Sequence, residues 1–240
     1  MVLRSLRVLL TILIFTFVIA ACAEQEEDLG DVVAVVNGEE VYESSLNRIL
    51  DDMIFMYQQQ GISFEGDEAE MMISMLREQA LNQLIQQTVM IQKAKAYNVL
   101  ATDQEVLEEL NRVKNQFETD AMYQEALIMN SLTEKQLKAS IFDNLSMRNL
   151  IESEVGEIPV TAEEIEAYYN EYKAEIEKQR AALIDEEGEL TEAQEAQFSV
   201  PDLAEIKDDI RAFLSEQEQQ RLTQKLIEQW LEESTIERFN

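Results

Sequence analysis

VVAVVNGEEVYESSLNRIL, residues 32–50, decides how this chain begins to fold. Val32 to Val36 is β-branched and almost wholly apolar, which suits a strand. Asn37-Gly38 is a tight-turn pair, because both residues tolerate the positive φ that a two-residue hairpin demands. Glu40 to Tyr42 then return as a short second strand. Ser44 or Ser45 can cap a helix that runs through Arg48 to about Gln60. Leu46, Ile49, Leu50, Met53, Ile54 and Tyr57 recur there at helical spacing. A lone hairpin is marginal in water, so this one needs a further partner.

Downstream the pattern is helical almost throughout. Gly61 to Gly66 reads as a loop and about Asp67 to Tyr97 as one long helix. Met72, Met75, Leu76, Leu81, Leu84, Ile85, Val89 and Ala96 mark its apolar side, and Asn98 follows as a left-handed C-cap. Thr102 with Glu105, Thr133 with Gln136 and Thr161 with Glu164 each have the spacing of a capping box. They open helices at about 102–116, 133–154 and from 161 to at least Lys178; another is expected at 119–130. Residues 184–200 (IDEEGELTEAQEAQFSV) are acidic and weakly patterned, a linker with at most one short helix. Pro201 and Asp202 open a last long helix to about Glu233, whose polar middle, Ser215 to Arg221, suits a span between packed ends. Ser234 to Phe239 alternates like a strand, and it is expected to join the hairpin and close one core. No internal repeat is visible. The fold class is therefore mostly α, a multi-helix module with a small β element formed by the N-terminal hairpin and the C-terminal strand.

Upstream, Arg4 and Arg7 precede an apolar run from Val8 to Ala21, broken only by Thr11 and Thr16. The run is shorter than the roughly 20 residues of a membrane span and fits a signal-peptide h-region. It ends in Ile19-Ala20-Ala21-Cys22, which resembles a bacterial lipobox. Residues 1–21 are thus expected to be a lipoprotein signal peptide, with Cys22, the only cysteine, as the lipid anchor. Residues 22–30 form an acidic tether; at roughly 3.5 Å per residue, Ala23 to Leu29 reach at most about 25 Å.

Composition narrows the chemistry. The chain holds 19 cationic and 49 acidic residues, a formal charge of −30. Loss of residues 1–21 would leave 17 against 49, or −32. Such acidity argues against nucleic acid and against a peripheral grip on anionic lipids. There is no histidine, which removes Ser-His-Asp and Cys-His catalysis and His-based zinc sites. No phosphate-cradling glycine motif occurs. The acidic pairs Asp51-Asp52, Glu108-Glu109, Glu163-Glu164, Glu186-Glu187, Asp208-Asp209 and Glu232-Glu233 are adjacent, so on a helix they diverge rather than converge. No EF-hand pattern is present. No catalytic residue, metal ligand or cofactor is expected.

Three stretches carry a family likeness: residues 32–50 quoted above; ALNQLIQQTVMIQKAKAYNVLATDQEVLEEL at 80–110; and VTAEEIEAYYNEYK at 160–173 with PDLAEIKDDIRAFL and KLIEQWLEESTIERF towards the end. Together they resemble the chaperone module of the SurA and PrsA family of extracytoplasmic foldases, some of which are lipoproteins. The resemblance implies an N-terminal chaperone core at 31–160 and a C-terminal helix and strand at 202–240 that complete it. It also implies a departure. Typical members continue from the VT-x-EE-x-x-x-YY helix into a parvulin prolyl isomerase domain, but only 28 residues separate Lys173 from Asp202. Residues 161–201 therefore stand as a helix and acidic linker in place of that domain, and isomerase activity is not expected.

A chaperone that only holds its clients needs adaptable apolar surface, and methionine suits it. Met53, Met56, Met71, Met72 and Met75 cluster beside the Gly61 to Gly66 loop, with Phe55, Tyr57 and Phe64 nearby. Met53, Met72 and Met75 keep helical phase with their neighbours and suit a core better than a groove; Met56 and Met71 break phase and favour exposure. Tyr168, Tyr169 and Trp230 fit helix packing better than a groove. The expected function is an ATP-independent, membrane-tethered chaperone for unfolded or nascent exported proteins. The alternative is a structural or assembly lipoprotein with one dedicated protein partner.

Overall fold

The computed structural model describes residues 29–66, 69–130 and 132–239. The expected signal peptide, Cys22 and the tether as far as Asp28 lie outside the described residues. Eight helices and three strands follow in the order β1 (Val32–Val36), β2 (Glu39–Tyr42), α1 (Glu43–Gln59), α2 (Ala69–Ala96), α3 (Asp103–Lys114), α4 (Asp120–Met129), α5 (Glu134–Val155), α6 (Ala162–Glu187), α7 (Glu192–Gln197), α8 (Leu203–Glu232) and β3 (Ile236–Arg238). The sheet has the order β2-β1-β3, so the C-terminal strand does pair with the hairpin. Asn37 and Gly38 both take positive φ, 53° and 85°, as a primed hairpin turn requires.

The described chain forms two compact units. The first comprises residues 29–34, 40–66, 69–80 and 238–239. Here α1 starts earlier than the serines predict. Its N-cap is Tyr42, whose side chain makes no capping bond. The free amides of the first turn are met instead by backbone: Glu43 N–H donates to the Asp31 carbonyl at 2.8 Å and Ser44 N–H to the Leu29 carbonyl at 3.1 Å. The preceding chain thus does the work of a capping side chain. At the other end, Gly61 N–H bonds to Gln58 O at 2.9 Å and Ile62 N–H to Tyr57 O at 3.1 Å, with Gly61 at φ 83°. This is a Schellman closure. Leu46, Ile49, Leu50 and Met53 form the buried stripe of α1. Arg77 on α2 donates to Glu43 Oε1 at 3.0 Å and to Asn47 Oδ1 at 3.3 Å on α1. Phe239 N–H closes on the Val33 carbonyl at 2.9 Å.

The second unit comprises residues 35–39, 81–130 and 132–237. All three expected capping boxes form, and Thr191 with Gln194 supplies a fourth. Asn98 sits at φ 59°; its N–H bonds to Lys95 O at 3.2 Å and Val99 N–H to Ala94 O at 2.9 Å, so α2 also ends in a Schellman closure. α3 packs on α5 through Ala101, Leu110, Ile141 and Leu145, with Val106, Leu137 and Phe142 against them. The buried Ser146 hydroxyl accepts from Ala101 N–H at 2.9 Å, which leaves no orphaned donor there. α8 packs on α6 and α5. Ile210 and Trp230 are its buried residues, one towards each end, as its polar middle implied. Two expectations need correction. α6 runs to Glu187, past the predicted start of the linker, and stops at Gly188, which takes φ 88°. Ala96, expected on the apolar side of α2, is exposed, and Ala94 is buried in its place.

The hairpin turn is wired into this second unit by side chains. Asn37 Nδ2 donates to Gln92 Oε1 at 2.8 Å and to Ser234 Oγ at 3.2 Å. Its Oδ1 accepts from Thr235 N–H at 2.9 Å, and its own N–H donates to Thr235 O at 2.8 Å. Gln92 Nε2 donates in turn to the Val36 carbonyl and to Glu39 Oε2, both at 2.9 Å. Lys93 pairs with Glu233 at 2.7 Å.

Candidate functional site

All seven residues singled out from the sequence for client binding, Met53, Met56, Tyr57, Phe64, Met71, Met72 and Met75, belong to the first unit. Their environments differ. Met53 is buried at the end of the α1 stripe, and Met72, Tyr57 and Phe64 are half-buried. Past Met53 burial fades, and Phe55 and Met56 are 54% and 56% exposed.

On the part of α2 that belongs to the first unit, residues 69–80, the buried positions are Ala69, Leu76 and Ala80, spaced by seven and four along one face. Met71 and Met75 lie four residues apart on the opposite side and are 66% and 69% exposed. This corrects the core reading of Met75. Its neighbour Leu76 takes the inward position, and a step of one residue turns a helical side chain through about 100°. Exposure of Met56 and Met71 agrees with their departure from phase. The first unit therefore offers water two short apolar strips, Phe55-Met56 and Met71-Met75, on flexible or flat side chains that adapt to varied partners.

Tyr168, Tyr169 and Trp230, in the second unit, pack as expected. Trp230 is buried. The Tyr168 ring lies 5.3 Å from that of Phe213, and Tyr169 OH donates to Pro201 O at 3.0 Å. A second exposed apolar group, absent from the sequence reading, lies on α4: Met122, Ile128 and Met129. Tyr123 and Leu127 share one face of α4 and leave these three on others, but spacing alone does not say which face finds cover.

No group of three or more acidic or thiol side chains among the described residues could hold a metal ion, and no helix there is long and apolar enough to cross a membrane. The perturbed carboxyls are structural. Glu105 and Glu164 are held below the usual range chiefly by the backbone amides of Thr102 and Thr161 in their capping boxes. Glu134 is lowered to about 2 by hydrogen bonds from Lys114 and then Lys138.

Comparison with known proteins identifies the family. The chain is 27% identical over 187 residues to the foldase protein PrsA of Caldanaerobacter subterraneus subsp. tengcongensis, covering 75% of this chain and 56% of that protein. It is 27% identical over 173 residues to the foldase protein PrsA of Clostridium botulinum strain 657, covering 68% and 52%. The chain thus spans about half the length of these relatives. A solved SurA-like chaperone structure from Campylobacter jejuni shares the fold, with a TM-score of 0.55 and 12% identity over 88% of this chain and 100% of that one. The family model described as the SurA-like N-terminal domain matches residues 4–151, and the chain belongs to that family.

Proposed function

We propose that the protein is an ATP-independent chaperone, tethered to a bacterial membrane through Cys22, that holds unfolded or nascent exported proteins by apolar contact. The observation that carries this reading is the outward placement of Phe55, Met56, Met71 and Met75 in a family whose relatives are named foldases. Side chains of this kind lose contact with water when a client's apolar segment settles on them, at roughly 25 cal/mol per Å² buried. Release needs no chemistry, because each contact is weak and exchangeable. The signal-peptide pattern of residues 1–21 supports an extracytoplasmic location, and the lipobox-like sequence ending at Cys22 supports the anchor. The absence of histidine from the sequence supports action without prolyl isomerase chemistry.

Light scattering from an aggregating unfolded client tests the reading. Equimolar protein should suppress the signal, and the quadruple change Phe55→Ser, Met56→Ser, Met71→Ser, Met75→Ser should weaken suppression without unfolding the chain. Aggregation that proceeds unchanged in the presence of the unaltered protein sinks the proposal. Cys22→Ser should move the protein from the membrane to the soluble fraction.

A further inference from the structure

α4 is a ten-residue helix with two opposed characters. Tyr123 and Leu127 are buried, while Met122, Ile128 and Met129 are 47%, 77% and 79% exposed. At 100° per residue, Ala121, Met122, Glu125, Ile128 and Met129 occupy the outward half, so one carboxylate sits amid four apolar side chains. The Glu125 side chain makes no hydrogen bond or ion pair among the described residues. Glu118 and Asp120, both exposed, border the same helix at its start.

The helix is firmly seated despite its small buried face. The Tyr123 ring meets Phe117 edge-on at 5.7 Å, Lys114 Nζ lies 5.0 Å from the ring centre, and Tyr123 OH donates to Glu134 Oε2 at 3.3 Å. Thr119 caps it through Met122 N–H. The apolar face is thus presented by a fixed element and not by a frayed end.

An apolar face with an unpaired acid at its middle and acids on its border selects its occupant by charge. A second copy of this chain, at −30, would bring like charge against Glu125. We infer that the outward face of α4 is a second client contact, which takes extended apolar segments bearing lysine or arginine. This rests on the chaperone reading above and adds to it a site and a client class. Apolar residues of the segment cover Met122, Ile128 and Met129, and a cation among them pairs with Glu125.

The experiment uses the full chain and two fluorescein-labelled unstructured peptides, one alternating leucine with lysine and one leucine with glutamate, read by anisotropy. The unaltered protein should bind the lysine peptide more tightly. Met122→Ser/Ile128→Ser/Met129→Ser should weaken that binding about tenfold. Glu125→Lys should weaken it about threefold and strengthen binding of the glutamate peptide. Tyr123 and Leu127 remain in every variant, and unchanged circular dichroism verifies the fold. If the unaltered protein binds the lysine peptide and protects clients but the α4 variants do so equally well, the inference is overturned and the chaperone reading stands. If the unaltered protein neither binds nor protects, both fall. A concentration-dependent dimer in sedimentation that the triple change abolishes assigns the face to a second copy and also overturns the inference.

Discussion

Asn37→Ala tests whether the turn that joins the two ends of the chain contributes to stability. The substitution removes two donations, to Gln92 and Ser234, and one acceptance, from Thr235. All three bonds are exposed, so each is worth about 0.5 kcal/mol, the low end of the usual range. The backbone adds a second cost. Asn37 sits at φ 53°, where asparagine is tolerated and a residue with an ordinary Cβ pays about 1 kcal/mol. Together these predict a loss of about 2.5 kcal/mol. Asn37→Asp keeps the acceptor and the tolerance of positive φ but loses both donations, so about 1 kcal/mol is expected. Urea unfolding followed by far-ultraviolet circular dichroism reads both values as a lower midpoint at unchanged slope. If both variants stay within about 0.5 kcal/mol of the parent, water replaces these bonds without loss and the reasoning is refuted. If the two variants fall equally, the backbone contribution assigned to φ 53° is wrong.

Further expectations follow from packing and charge. Tyr123→Ala, at a side chain 2% exposed, should cost about 3–5 kcal/mol, while Tyr123→Phe, which loses only the 3.3 Å bond to Glu134, should cost about 0.5–1 kcal/mol; thermal melts distinguish them. Glu134, with its carboxyl lowered to about 2 against an ordinary 4.5, stabilises the fold above its ordinary value, and that contribution fades as pH falls from 4.5 towards 2. Unfolding of the parent and of Glu134→Gln should therefore converge across that window, and nuclear magnetic resonance titration of Glu134 should place its midpoint below that of an exposed glutamate. Gly61→Ala places a Cβ in open space but at φ 83°, so it should lose about 1 kcal/mol from strain alone. A stability equal to the parent's would show that the α1 closure does not need the left-handed residue.

Local chemistry was the most legible part of the chain. Thr102, Thr133 and Thr161 each announced a helix start by the spacing to Glu105, Gln136 and Glu164, because a capping box is completed within four residues. Asn37-Gly38 and Asn98 were readable for the same reason: positive φ narrows the choice of residue at one position. What depended on distant partners was not. The α1 start is set by the Leu29 and Asp31 carbonyls rather than by Ser44 or Ser45, and no sequence spacing reports that meeting. The length of α6 was hidden because the apolar residues of its second half are sparse, the half-buried Ile176, Leu183 and Ile184; Gln179–Glu175 and Arg180–Glu195 bonds support it as well. For Met75 the limit is of another kind. Periodicity shows which side chains share a face, but only the tertiary fold decides which face finds cover, and Leu76 took that place. The same limit hid Ile128 and Met129.

The pairing of β3 with β1 has a consequence in time. The bond between Asn37 and Thr235 joins residues 198 apart, and closing so large a loop costs on the order of 5 kcal/mol of chain entropy. Synthesis delivers the hairpin well before β3. Until residues 236–238 exist, the side of β1 that they will occupy has unpaired amides and carbonyls, a template for stray strands. The newborn chain therefore passes through an interval in which it carries an open strand edge of its own, and that interval ends only when β3 docks.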